Sequence, residues 1–218
     1  MKIELTKEQV IKIIEEELPK IIERHPEIKD KPQLTDLFGK TGLLWLKNLK
    51  ISNPDNKLLK ESLELLDNLN IRISKAEHLV EKLSKEHPYV KRLLTIPGIG
   101  KFFSVLIAYE VDNIKRFPDE KRFASYIGII PSTYASGTFL RHGRITRQGN
   151  RYLRWALIEA IWPAINKSNY LRVYYERIRK GKGSNKAKVA TARRLATIIY
   201  KVLSEKRGYI ENYPAASY

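Results

Sequence analysis

The sequence predicts a mainly α protein: a helical arm with a coiled coil, then an α-helical domain holding a helix–hairpin–helix and at most a small β-hairpin. Three observations carry that reading. Apolar residues recur at helical spacing along most of the 218 residues. Capping and turn residues fall between these runs rather than within them. The stretch that alternates as a strand does, "TFLRHGRIT" at 138–146, is short and holds Gly143, so a small hairpin is expected there.

The elements follow in order. Thr6 stands three residues before Gln9, ahead of an apolar-periodic run; this spacing is a capping box and opens a helix near Lys7. Pro19 is expected to kink or interrupt that helix. Residues 25–42 read as loop, with Pro26, Pro32, Gly39 and Gly42 as breakers, and a short helix follows around Leu43–Leu49. Asn53 or Asp55 then caps a long helix with Pro54 near its start. Along it Leu59, Ser62, Leu66, Leu69, Ile73, Ala76, Val80 and Leu83 alternate spacings of three and four, a heptad seam with Ser62 as its polar member. Such a seam needs a partner. It serves either a coiled coil that joins two copies of the chain into a homo-oligomer or an antiparallel hairpin within one copy.

After Pro88 the pattern changes. A short helix leads into the tight turn Pro97–Gly100 and an apolar helix from about Lys101. A further short helix runs from near Pro118 to Gly128, a long one from Asn150 to Asn166 with a bend expected at Pro163, and another from Leu171 to Lys180. "GKGSN" reads as a flexible turn, Lys186–Lys206 as the last helix, and Gly208–Tyr218 as a loose tail. The expected division is a helical remnant at 1–53, a coiled-coil helix at 54–88 and a basic domain at 89–218.

Charge separates the parts. The chain carries +17 overall; residues 1–88 hold 16 basic and 16 acidic side chains, whereas residues 89–218 hold 25 basic and 8 acidic. Segregation of this kind is the footprint of a polyanion partner, DNA or RNA, rather than of solubility alone. No apolar run reaches the roughly 18 residues of a membrane span, and the acidic, amphipathic start is unlike a signal peptide. Zero cysteines remove disulfides and thiolate metal sites and accord with a reducing cytoplasm. The four histidines are scattered, there is no P-loop, and the acid pairs Glu110/Asp112 and Asp119/Glu120 read as caps. No metal or cofactor is therefore expected in this chain.

Three segments carry candidate chemistry. In "TIPGIGKFF", Gly98 and Gly100 allow the backbone to approach a phosphate at the start of a helix, and Lys101 adds charge; the ordinary reading is an interhelical turn. In "PSTYASGTFLRHGRITRQGNRYLRW", Ser136-Gly137 is followed by Arg141, His142, Arg144, Arg147, Arg151 and Arg154, with no acid among them. Guanidinium groups bind phosphate bidentately, so a hydroxyl in such a nest is a candidate nucleophile on a phosphodiester. On residue chemistry Ser132 and Tyr134 compete equally with Ser136, and most Ser-Gly pairs are simply turns. In Arg177–Leu203, Lys186, Arg193 and Arg194 share a basic helix face that either meets nucleic acid or is merely solvated.

The pieces I-P-G-I-G, R-F-x-x-x-K-x-x-A-S-Y-x-G (Arg116–Gly128), P-S-x-Y-x-S-G and G-R-I-T-x-x-G-N-R-x-L-R together resemble the C-terminal domain of the insertion-sequence transposases that join a DEDD nuclease-like domain to a serine-bearing domain. That group includes the pilin-gene invertase and the bridge-RNA-guided recombinases. "TDLFGKTGLLWLKNL" and the heptad helix resemble the group's linker and coiled coil. The resemblance implies DNA strand transfer with Ser136 as nucleophile, and a guide RNA as partner. It also implies an RNase-H-like domain whose acids hold Mg²⁺ and which this chain is expected to lack: the domain is lost, supplied by a separate chain, or outside an expressed fragment. The competing expectations are a non-catalytic helix–hairpin–helix binding module and an oligomerisation scaffold.

Overall fold

Thr6 opens the first helix. In a computed structural model, which describes residues 5–26, 28, 36–136, 139–146 and 148–211 (backbone alone at 131–136 and 139–144), α1 runs over Lys7–Arg24. The Thr6 hydroxyl accepts from Gln9 N–H at 3.3 Å, and Thr6 N–H donates to Gln9 Oε1 at 2.8 Å, the reciprocal cap expected. Pro19 lies inside α1 without ending it. Val10, Ile14, Leu18 and Ile21, spaced four, four and three, form a buried stripe on both sides of the proline; their burial outweighs one missing backbone bond.

The chain divides into two compact units, Met1–His78 and Leu79–Tyr218. In the first, α2 (Lys40–Asn48) and the start of α3 (Asp55–Glu86) bring Leu46, Ile51, Leu59, Leu63 and Leu66 into one core with the α1 stripe. A charged contact joins α1 to α3. Arg24 donates to both Asp55 oxygens, at 2.9 and 2.8 Å, and His25 Nε2 lies 3.2 Å from Asp55 Oδ2. The hydrogen bonds from Arg24 hold the Asp55 carboxyl below its usual range, against the opposing effect of desolvation. A depressed carboxyl stabilises the fold above its unfolded pKa of about 3.9 and loses that contribution as pH falls through the folded value. Asp55→Asn should therefore melt below the parent chain at pH 7, and the gap should close in acid; thermal denaturation followed by circular dichroism from pH 7 to pH 2 checks both.

The heptad seam of α3 is not one uninterrupted surface. Leu59 and Leu66 are buried in the first unit's core, whereas Val80 and Leu83 pack against the core of the second. Between them Ile73 is 40% exposed, as are its neighbours Ile71 and Leu79 at 54% and 56%.

The second unit contains α4 (Val90–Leu93), α5 (Lys101–Val111), a 3₁₀ turn (Ile114–Arg116) and α6 (Glu120–Ile127), then a hairpin of β1 (Pro131–Ser136) and β2 (Phe139–Ile145), and finally α7 (Arg151–Glu159), α8 (Ile161–Lys167), α9 (Asn169–Lys182) and α10 (Ser184–Ser204). Helix α10 is the centre: Ala192, Leu195, Ala196, Ile198, Ile199, Val202 and Leu203 are all at most 1% exposed, and it contacts α4, α6, α7, α8 and α9. Asp119 caps α6 by accepting from Arg122 N–H at 2.7 Å, as expected. Glu110 is no cap; it bonds Asn150.

Three expectations are corrected here. The helix expected over 150–166 breaks at Ala160, not at Pro163. A proline ring collides with the carbonyl four residues back, here that of Glu159, so the break precedes it and Pro163 sits in the tolerant first turn of α8. The glycine turn before the last helix is the single residue Gly183, at φ +82. The tail is docked as far as it is described: Tyr209 N–H donates to Thr95 Oγ1 at 2.7 Å, and Glu211 Oε1 accepts from Ser168 Oγ and Tyr170 N–H at 2.9 and 3.0 Å. No helix among the described residues is long and apolar enough to cross a membrane.

Candidate functional site

The serine-bearing hairpin is built differently from the expected one. Ser136 pairs with Phe139, Tyr134 with Arg141 and Thr133 with His142, which leaves only residues 137 and 138 between the strands. "FLRHGRI" is thus one strand, and Gly143 turns nothing. It lies where the register shifts between the Thr133 and Pro131 pairs, the irregularity that glycine in a strand commonly marks. Ser136 is the last residue of β1.

Both roots of the hairpin are held by close backbone packing. Gly128 closes α6 in the left-handed region at φ +76, and Gly149 follows β2 at φ +135. A Cβ on Gly128 would stand 2.6 Å from the Gln148 carbonyl oxygen, and one on Gly149 would stand 2.3 Å from that of Tyr126. Thr146 N–H donates to the Ile130 carbonyl at 3.0 Å, and Asn150 N–H to the Tyr126 carbonyl at 2.8 Å. The Asn150 side chain caps α7, with Oδ1 accepting from the N–H groups of Tyr152 and Leu153 at 3.0 Å each, while its Nδ2 donates to Glu110. Arg116 lies over the Phe117 and Tyr126 rings, 4.7 and 4.6 Å from their centroids. The segments before and after the hairpin are therefore one rigid base.

The glycines of the other motif have separate tasks. Gly98, at φ +84, is pressed against α7–α8: its Cβ would meet the Ala160 carbonyl oxygen at 2.5 Å and Ala164 N at 2.6 Å. Close helix packing alone thus accounts for a glycine at this position. Gly100 is the N-cap of α5 and faces open space. Its neighbour Lys101 bonds Glu81, which holds that carboxyl below its usual range.

The predicted basic residues disperse. The side chains of Ser136, Arg141 and Arg144, with those of Ser132, Tyr134 and His142, lie outside the described residues, as does Arg147 altogether. Arg151 is exposed, donates to Tyr152 Oη at 2.7 Å and stacks 4.8 Å from that ring. Arg154 is half-buried and donates to the Ile127 carbonyl at 2.9 Å, bracing the α6 terminus instead of facing outward. Lys186 is exposed and Arg193 half-buried. Arg194 is buried: it is 8% exposed, bonds the Tyr170 hydroxyl and lies 5.2 and 5.9 Å from the Tyr170 and Tyr174 centroids, joining α9 to α10. Among the described residues no group of three or more His, Cys, Asp or Glu side chains could hold a metal ion.

Sequence reasoning missed an aromatic surface. Phe102 of α5 and Trp155 of α7 are 52% and 47% exposed and meet edge to face at 6.2 Å. Tyr152, one turn before Trp155, is 47% exposed. The three-residue spacing of Tyr152 and Trp155 was the available signal; the pairing with α5 was not written in either segment.

Residues 90–176 match the model of the "Transposase IS116/IS110/IS902 family". The chain is 26% identical over 160 residues to a "Probable family 20 transposase" of Pseudomonas aeruginosa, covering 72% of this chain and 47% of the relative. It is 29% identical over 140 residues to "Insertion element IS110 uncharacterized 43.6 kDa protein" of Streptomyces coelicolor, covering 64% and 35%. It is 30% identical over 120 residues to the "Pilin gene-inverting protein" of Moraxella bovis, covering 54% and 37%. The chain thus spans about a third to a half of the length of these relatives.

Proposed function

We propose that this chain is the serine-bearing, nucleic-acid-handling portion of a DNA transposase or site-specific recombinase, acting on DNA with a structured guide RNA. The observation that carries the reading is the position of Ser136. It ends β1 at the connection of a two-stranded hairpin whose roots are locked at Gly128, Gly149 and Asn150. The family match over 90–176 includes that hairpin and supports the same reading.

In the proposed reaction Ser136 Oγ bonds to a DNA phosphorus, and the phosphorus bond to a 3′ or 5′ oxygen breaks. The serine gives up its proton and the departing oxygen takes one up. The phosphoserine ester conserves the bond energy, and attack by another strand's hydroxyl reverses the step and joins DNA. Arg141 and Arg144 on β2, with Arg147 after it, would stabilise the charge on the phosphoryl oxygens. The open N-terminus of α5 at Gly100, with Lys101, would hold a backbone phosphate and position the DNA without reading sequence. Arg151, Lys186 and Arg193 would extend the basic surface. An RNase-H-like domain would contribute the acidic half of the site, and the exposed middle turns of α3, with Ile71 and Ile73, would contact a second copy.

Binding is tested by fluorescence anisotropy with a labelled 30-base-pair duplex between 50 and 300 mM KCl. Five to eight phosphate contacts predict a slope of log K against log salt of about −4.5 to −7. A flat dependence, or no binding at 50 mM, would sink the reading.

A further inference from the structure

The aromatic surface between α5 and α7 has no role in the reaction above. Phe102, Tyr109, Tyr152 and Trp155 are each between 44% and 52% exposed. Phe102 and Tyr109 lie seven residues apart, on one face of α5, and Tyr152 and Trp155 lie three apart on α7. The Phe102–Trp155 contact joins the two rows. Phe103 backs the tryptophan edge-on at 5.5 Å and 81°. The rings are thus braced edge to face and do not stack on one another. Solvated rings in such numbers are unusual on a protein surface and mark a contact face.

Charge selects the partner. Arg151 lies over the Tyr152 ring and bonds its hydroxyl, so a planar cation and a ring form one stacking unit. Glu110, at the other end of α5, is engaged by Asn150. The acid of α7, Glu159, lies one turn beyond Trp155, so an anionic backbone is favoured on the Arg151 side. Aromatic faces flanked by guanidinium are the surface that unpaired bases stack on, since every base presents a π-face and every nucleotide a phosphate. Rings and arginine also anchor protein contacts, so a protein contact at this face is one outcome of the test below.

We infer that the Phe102–Trp155–Tyr152 face, with Arg151, is a stacking platform for unpaired nucleotides of a single strand. The inference rests on the proposed nucleic-acid function and adds a separate site to it. Strand exchange exposes unpaired bases, and this face receives them.

The test uses the full chain with a labelled dT₂₀ oligonucleotide and a labelled 20-base-pair duplex, both read by anisotropy at 100 mM KCl. Loss of one stacking ring costs about 1–3 kcal/mol per base, so Trp155→Ala is expected to weaken dT₂₀ binding about tenfold or more and to leave duplex binding within about twofold. Trp155→Tyr should keep most of the affinity, because a ring is retained. Phe102→Ala should repeat the loss independently, which guards against a folding defect in either variant. Unchanged dT₂₀ binding in both alanine variants overturns the platform, as does equal loss for strand and duplex. A fall in solution mass by light scattering with dT₂₀ affinity intact makes the face a protein contact and overturns it too. A parent chain that binds duplex but not dT₂₀ overturns the platform alone; one that binds neither overturns the proposed function with it.

Discussion

Ser136→Ala is expected to lower DNA strand exchange by about three orders of magnitude or more, with duplex affinity within about twofold of the parent chain. In the proposed reaction Ser136 supplies the attacking oxygen, so its removal deletes the covalent route while the proposed phosphate-binding groups remain. The readout is recombination in cells of a plasmid carrying the DNA that flanks the coding sequence, with duplex binding measured separately. Ser132→Ala and Tyr134→Phe provide the comparison. Both residues lie within β1, whereas Ser136 ends it beside residues 137 and 138. Either comparison variant is expected to retain activity within about tenfold.

Gly98→Ala has the second largest expected effect, and it acts on folding. The backbone there is left-handed, which a side chain adopts at a cost of about 1–3 kcal/mol. The new methyl would also lie 2.5, 2.6 and 2.7 Å from the Ala160 carbonyl oxygen, Ala164 N and Ala164 Cβ. Those atoms belong to buried helix ends that cannot swing aside, and overpacking of this kind adds about 1–3 kcal/mol or more. The sum is a loss of about 2–6 kcal/mol, read as a lower denaturation midpoint in urea. Gly100→Ala, only two residues away, meets open space at an ordinary backbone angle. It should be stable, so the pair separates packing from phosphate contact at one turn.

The contrast between these glycines shows what was legible in the chain. Local signals were readable because their partners lie within a few residues. Thr6 with Gln9, Asp119 with Arg122, and the bounds of the long helix over 55–86 all depend on short-range hydrogen bonding or periodicity. Pro19 does not interrupt α1, because its cost is local while the burial of Ile14, Leu18 and Ile21 is tertiary. Gly98 looked like a phosphate turn because nothing near it in sequence names Ala160 and Ala164. Arg154 and Arg194 were counted with the solvent-facing cations, yet each is drawn inward by a partner 27 or 24 residues away. The small hairpin is legible in the alternation around Gly143, but where it turns is not, since glycine marks both turns and strand irregularities. Pairing register, not residue type, decides between them. The aromatic platform escaped notice for the same reason: its two halves lie about fifty residues apart and meet only in the fold.

The central claim is that Ser136 forms the bond to DNA. Its most direct measurement is mass spectrometry of the proteolysed, nuclease-trimmed protein–DNA adduct from cells undergoing recombination. The account predicts a nucleotide joined through phosphate to Ser136. A nucleotide on Ser132 or Tyr134, or strand exchange with no covalent protein–DNA species, would contradict it.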